Sequence, residues 1–297
     1  MKTLVGLALA VLLGSCLALG QVPPARAEGG MVKLVAAENF YGGIAHQVGG
    51  MLVEVVSILN NPEQDPHLFE ASPAVARQIA DAKIVIVNGA DYDPWMTKLL
   101  QTSPRPGRIV IDAAQLTGWQ PGGNPHLWYD PATMPKVARA LAAALAKADP
   151  DHADDYAAGL KATLSSLARV QADIYRMRAR YHGLPVTATE PVFGLMAGAL
   201  GLDMYNQRFQ TAMMNNTEPS ARDLAAFEND LKQHKVKALI FNKQVSEKLT
   251  ERLIAIAQNA KVPVVAVTET QPADTTFADW MLAQLHALDK ALAGPSS

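Results

Sequence analysis

The segment between Asp149 and His182 most constrains how this chain can fold. Asp149-Pro150 makes a helix start, with the aspartate as cap and the proline in the first turn, and apolar residues then recur at threes and fours: Tyr156, Leu160, Leu164, Leu167, Val170, Ile174 and Met177. Only Gly159 interrupts before Gly183-Leu184-Pro185. The pattern predicts one amphipathic helix of about 30 residues, about 45 Å long at the α-helical rise. Such a helix is a rigid strut, which would limit how far two bodies attached to it can hinge. On both sides of it the chain repeats the same grammar. Apolar, β-branched runs at 33–37, 54–59, 83–87 and 108–112 precede it, and runs at 184–188, 238–241 and 262–267 follow it. Runs of this kind read as strands buried on both faces of a parallel sheet. Helical patterns at 44–48, 73–82, 221–234 and 246–259 separate them. The expected fold is therefore α/β: two wound parallel-sheet lobes, 28–148 and 183–297, joined by one long helix at 149–182.

The first 27 residues read as a secretory signal, with Lys2, an apolar run of 16 residues from Leu4 to Leu19, and Ala25-Arg26-Ala27 as a small-x-small cleavage pattern. The run is short and broken by Gly6, Gly14 and Ser15, which disfavours a membrane anchor. The expected location is periplasmic, with a mature start at Glu28. The single cysteine, Cys16, lies inside the run. Leu13-Gly14-Ser15-Cys16 partly resembles a lipoprotein cleavage box, and lipidation at Cys16 is the less favoured alternative. Cleavage after Ala27 leaves no cysteine, so disulfides and thiolate metal sites are excluded and any metal must take N and O ligands. The mature chain would carry 24 basic against 28 acidic residues, dispersed rather than gathered into a stripe, so nucleic acid is not an expected partner.

Two histidines occur in matching contexts, Asp65-Pro66-His67-Leu68 and Asn124-Pro125-His126-Leu127-Trp128-Tyr129-Asp130. Each sits in a proline-stiffened turn, the kind of loop on which a metal-ligating imidazole is held in advance of binding. Ligands of wound sheets bind outside the carboxyl ends of the strands. Glu190 follows the run at 184–188 and Glu269 follows the run at 262–267, so both fall at such ends. His67, His126, Glu190 and Glu269 then form a mixed N/O set suited to Zn²⁺ or Mn²⁺, placed in the cleft between the lobes. Taken singly, Glu190 reads as a helix-dipole cap and Glu269 as a solvated turn residue. Asp65, Asp91, Trp128 and Asp130 are candidates for supporting the ligands, although Asp91 and Asp130 could equally cap helices beginning at Pro94 and Pro131. Tyr92, Trp95, Trp128 and Tyr129 could wall the cleft or pack the core.

With these residues in view, the chain resembles the periplasmic substrate-binding proteins of zinc/manganese-type ABC importers, the cluster A-I or ZnuA/TroA-like family. The carriers of the resemblance, spread from about Val32 to Leu292, are Ala37-Glu38-Asn39-Phe40-Tyr41, Gln64-Asp65-Pro66-His67, Asn88-Gly89-Ala90-Asp91-Tyr92-Asp93-Pro94-Trp95, the His126 segment, Glu218-Pro219-Ser220 and Val267-Thr268-Glu269-Thr270. The resemblance implies two α/β lobes on one long helix, and a divalent ion bound in the cleft for delivery to an ABC permease in the inner membrane. By position it implies that His67 and His126 are the first two ligands. Glu190 falls where many zinc members have His and many manganese members Glu, and Glu269 falls near a position that is commonly Asp. No loop rich in His and acidic residues is present. Zn²⁺ is the favoured cargo, with Mn²⁺ or Fe²⁺ compatible, and the protein is expected to be a monomer and not an enzyme.

Two rivals come from other classes. An exported metal-dependent hydrolase needs an open coordination position and a general base, whereas four protein ligands close a tetrahedral site and no His-Glu-x-x-His helix occurs. A metal-independent adhesin or scaffold would leave His67, His126, Glu190 and Glu269 without a shared purpose and would be indifferent to loss of His67; an adhesin-like protein with a structural metal is the related alternative.

Overall fold

The computed structural model describes residues 30–62, 69–245 and 248–294. The signal segment with Cys16, and Asp65 and His67, lie outside the described residues. Two four-stranded parallel sheets form. The first contains β1 (Val32–Glu38), β2 (Val53–Leu59), β3 (Ile84–Val87) and β4 (Ile109–Asp112) in the order β2-β1-β3-β4. The second contains β5 (Pro185–Ala188), β6 (Asp203–Tyr205), β7 (Leu239–Asn242) and β8 (Val264–Val267) in the order β6-β5-β7-β8. In each, the first strand is central and the chain moves to one side and then the other, so each sheet has a switch point beside its first strand. Strand β6 went unrecognised in the sequence because it is a three-residue, partly exposed edge strand that opens on a charged residue.

Helices cover both faces of the sheets. They are α1 (Asn39–Gly49), α2 (Pro73–Asp81), α3 (Pro94–Thr102), α4 (Ala113–Thr117), α5 (Thr133–Ala148), α6 (Ala153–Tyr181), α7 (Gly194–Leu200), α8 (Gln207–Met214), α9 (Ala221–Lys232), α10 (Lys248–Asn259) and α11 (Phe277–Ala293). The strand period of two sorts their side chains. Leu34, Ala36, Ile84 and Ile86 point into the main core, whereas Val35, Ala37, Val85 and Val87 pack with Ile79 of α2 and Met96 of α3 on the opposite face. This is why the strands read as continuous apolar runs. In the second lobe, Leu239 likewise packs with Phe227 and Leu253, while Ile240 joins the main core.

That main core is shared. It runs from the first sheet through Leu141 of α5 and Val170 and Ile174 of α6 to Val186, Ile240 and Leu285. Helix α6, 29 residues long, supplies the middle of it, packing on α1 and α5 of one lobe and on α7 and α11 of the other. Asp154 and Asp155 in its first turn and Arg178 and Arg180 in its last complement the helix dipole. Asp149 does not cap as expected: its carboxylate accepts from the Tyr156 hydroxyl at 2.7 Å and lies 2.7 Å from His152 Nδ1. Gly159 permits a close approach, since a Cβ there would lie 2.2 Å from the Val48 carbonyl oxygen of α1. Among the described residues, no helix is long and apolar enough to cross a membrane.

Candidate metal centre

The strand ends place the candidate groups. Glu190 comes two residues after β5, Asn242 is the last residue of β7, and Glu269 comes two residues after β8, so all three lie at the carboxyl edge of the second sheet. From the first lobe, His126 arrives on the loop between α4 and the short 3₁₀ turn Leu127–Tyr129, and Tyr92 on the turn after β3.

His126 is 1% exposed and its ring is fixed by one neighbour. Asn124 Oδ1 lies 2.7 Å from His126 Nδ1 and also accepts the His126 backbone N–H at 3.0 Å. The Asn124 amide nitrogen donates to the Pro191 carbonyl at 2.6 Å, which identifies the other terminal atom as the acceptor oxygen. Nδ1 therefore carries a proton, so in the neutral ring Nε2 is the nitrogen left to meet a metal. This is the tautomer a metal ligand requires. Nε2 is buried and makes no hydrogen bond among the described residues, and Glu269 Oε2 lies 3.4 Å from it.

The two glutamates are 7% and 1% exposed, so neither is the solvated or capping residue that each resembles in isolation. Glu190 precedes the 3₁₀ turn Pro191–Phe193 but makes no side-chain cap. Asn242 Nδ2 instead donates to Glu190 Oε2 at 2.8 Å and to Glu269 Oε1 at 2.6 Å, holding the two carboxylates through one amide. Glu269 Oε2 accepts from the Tyr92 hydroxyl across the cleft at 2.9 Å, and the Glu269 backbone N–H donates to Gln244 Oε1 at 2.5 Å. Burial, reinforced by the charges of Glu269 and Glu38, raises Tyr92 well above the ordinary phenol range, so it remains a donor. Among the described residues, no three His, Cys, Asp or Glu side chains close a metal site by themselves.

The turn that delivers Tyr92 is strained. Gly89, Ala90 and Asp91 all have left-handed φ, at +67°, +54° and +59°, a cost of the order of 1 kcal/mol or more for each non-glycine residue. The buried Asp93 carboxylate holds it by accepting the backbone N–H groups of Asn88 and Gly89, both at 2.8 Å. Burial pushes the Asp93 carboxyl up to about 6 despite those bonds. Behind it Glu38, the last residue of β1, is 2% exposed, and its carboxyl oxygens find no hydrogen-bond partner among the described residues. Burial first, and Asp93 second, raise its pKa well above the usual range.

The supporting residues expected from the sequence divide. Trp128 packs edge-on to the His126 ring at 5.3 Å and against Tyr92 at 4.8 Å, and Tyr129 lies 5.9 Å from it. Trp95 packs instead on Phe69 at 4.6 Å. Asp91 is an exposed residue of the strained turn, with no bond to the site among the described residues. Asp130 accepts from the Ala132 backbone N–H at 2.9 Å, ordering the approach to α5. The work assigned to these aspartates is done by Asn124, whose bond two residues onward to the His126 N–H is an Asx turn written in Asn124-Pro125-His126. Asn242 and Gln244 carried no local signal, and Glu38 entered only within the Ala37–Tyr41 segment that carries the family resemblance.

Two wound sheets that meet at their carboxyl edges, with buried imidazole and carboxylates between them, define a two-lobed cleft-binding protein. Residues 34–291 match the family model described as zinc-uptake complex component A, periplasmic, and the chain belongs to this ZnuA/TroA family. It is 24% identical over 261 residues to the high-affinity zinc uptake system protein ZnuA of Bacillus subtilis, covering 80% of each chain. It is 23% identical over 241 residues to the manganese-binding lipoprotein MntA of the same organism, covering 77% of this chain and 76% of that one. The periplasmic zinc-binding protein TroA from Treponema pallidum superposes with a TM-score of 0.74 at 19% identity, covering 89% of this chain and 99% of that one, a likeness of fold.

Proposed function

We propose that this protein captures a divalent transition-metal ion in the interlobe cleft through His67, His126, Glu190 and Glu269, and delivers it to an ABC permease in the inner membrane. The observation that carries the reading is the His126 ring: buried, a proton held on Nδ1 by Asn124, its Nε2 without a hydrogen bond among the described residues and 3.4 Å from the Glu269 carboxylate. A buried polar atom left in that condition is costly unless something fills it. An electropositive ion between Nε2 and the carboxylates would satisfy all of them at once. Two imidazoles and two carboxylates favour Zn²⁺ on affinity order, with Mn²⁺ and Fe²⁺ as compatible cargoes. Four protein donors leave no coordination position for an activated water, so this is a carrier and not a hydrolase. Export follows from the signal-like residues 1–27, with release after Ala27, and the mature protein works as a monomer.

The test is a competition titration of stripped mature protein, residues 28–297, with Zn²⁺ and Mn²⁺ against a chelator of known affinity, read by tryptophan fluorescence. One tight ion per chain is expected, with Zn²⁺ preferred, and binding should weaken at least a hundredfold in His126→Ala and His67→Ala. Failure of the native protein to bind either ion, or unaltered binding in both variants, overturns the reading.

A further inference from the structure

We propose a second binding site, for an apolar small molecule with an anionic end, in a cavity between the helices behind the metal centre. The cavity lies where α5, α6, α7 and α11 meet beneath the turn that carries His126, and has a volume of about 390 Å³. That is within the usual range of small-molecule sites. Its walls are apolar: Trp128, Met134, Leu167, Met196, Phe277 and Met281. Three of the six are methionines, whose unbranched thioethers adapt to the shape of what they touch. The pocket opens to solvent on one side, so an apolar occupant would take its apolar walls out of water.

One unused donor at the mouth sets the chemistry of the occupant's polar end. Arg139 of α5, exposed at the mouth, makes no ion pair among the described residues. Asp130 also borders the cavity, but its Oδ1 is engaged by the Ala132 N–H. The Gln171 amide and the 65% exposed Tyr175 on α6 complete the rim. An aromatic or aliphatic body ending in a carboxylate or sulfonate matches this arrangement, with its charge at Arg139.

The test uses 8-anilinonaphthalene-1-sulfonate as probe, on mature protein that melts cooperatively. One saturable site per chain is expected. Arg139→Glu should weaken it about tenfold, the scale of one charge-assisted bond. Gln171→Trp, which fills the cavity from α6, should abolish it. Glu190→Gln, in the metal cleft and off the cavity wall, should leave it unchanged, and that separates this site from the metal cleft. The uncharged N-phenyl-1-naphthylamine should bind equally well to native protein and Arg139→Glu. The proposal is overturned by absence of saturable binding to the native chain, by equal sulfonate binding in Arg139→Glu, or by binding lost in Glu190→Gln. Should Gln171→Trp fail to fold, the surface variant Arg139→Glu decides alone.

Discussion

Replacing Asn124 separates two jobs that its side chain does at once. Its oxygen holds the His126 Nδ1 proton at 2.7 Å, and its nitrogen ties the His126 loop to the Pro191 carbonyl of the other lobe at 2.6 Å. Asn124→Ala removes both. The imidazole then loses the partner that fixes its tautomer and ring orientation, and loss of such a partner in metal sites typically costs about 10–100-fold in affinity, about 1.4–2.7 kcal/mol. Asn124→Asp keeps an acceptor at Nδ1, with added charge that makes the imidazole a better donor to the metal, but cannot donate to Pro191. The chelator competition described above should therefore rank the proteins native and Asn124→Asp together within a few fold, and Asn124→Ala about 10–100-fold weaker. Both variants lose the bridge between the lobes, so thermal melts of the metal-free forms should show both destabilised. If Asn124→Asp binds as weakly as Asn124→Ala, the bridge to Pro191 and not the Nδ1 bond governs affinity. If Asn124→Ala binds like the native protein, the tautomer argument fails.

Other consequences are separable from metal. The Tyr129 hydroxyl is buried within 2.6 Å of the Thr268 carbonyl and 2.7 Å of Gln284 Oε1, so Tyr129→Phe should cost about 1–3 kcal/mol in denaturant unfolding, and an unchanged midpoint would contradict the bond. Gly159→Ala should destabilise by at least about 1 kcal/mol although alanine is the better helix former, because its Cβ would meet Val48 O; a more stable variant would show that α1 and α6 part freely. Asp93 titrates near 6 in the fold and near 4 unfolded, so between those values the folded state keeps a proton that the unfolded state has lost. Its contribution is present below about pH 4 and is lost, by about 3 kcal/mol, as pH rises through 6. Stability of metal-free Asp93→Asn measured from pH 4 to 7 should lack that decline, and parallel curves for the two proteins would refute it.

The chain's local patterns carried a large part of this. Short β-branched runs announce strands buried on both faces because a residue's own branching and its neighbours' polarity decide that, and the spacing of Leu167, Val170, Ile174 and Met177 announces α6 for the same reason. The positions of His126, Glu190 and Glu269, one in a proline turn and two just past strand ends, were legible because those are local facts. Strand β6 was not, since an exposed three-residue edge has no pattern to read.

Tertiary structure alone decided how those residues are used. Glu190 and Glu269 share the amide of Asn242, 52 and 27 residues away in sequence, and Tyr92 reaches Glu269 across 177. No local rule marks Asn242 as the residue that holds two carboxylates, because its role exists only once β5, β7 and β8 lie side by side. The same holds for Glu38 and Trp128, whose polar atoms find no partner among the described residues because of what the fold packs around them. A sequence specifies which groups are available and on which elements; burial and long-range hydrogen bonding, set by how the lobes close on α6, determine which of them are left to bind.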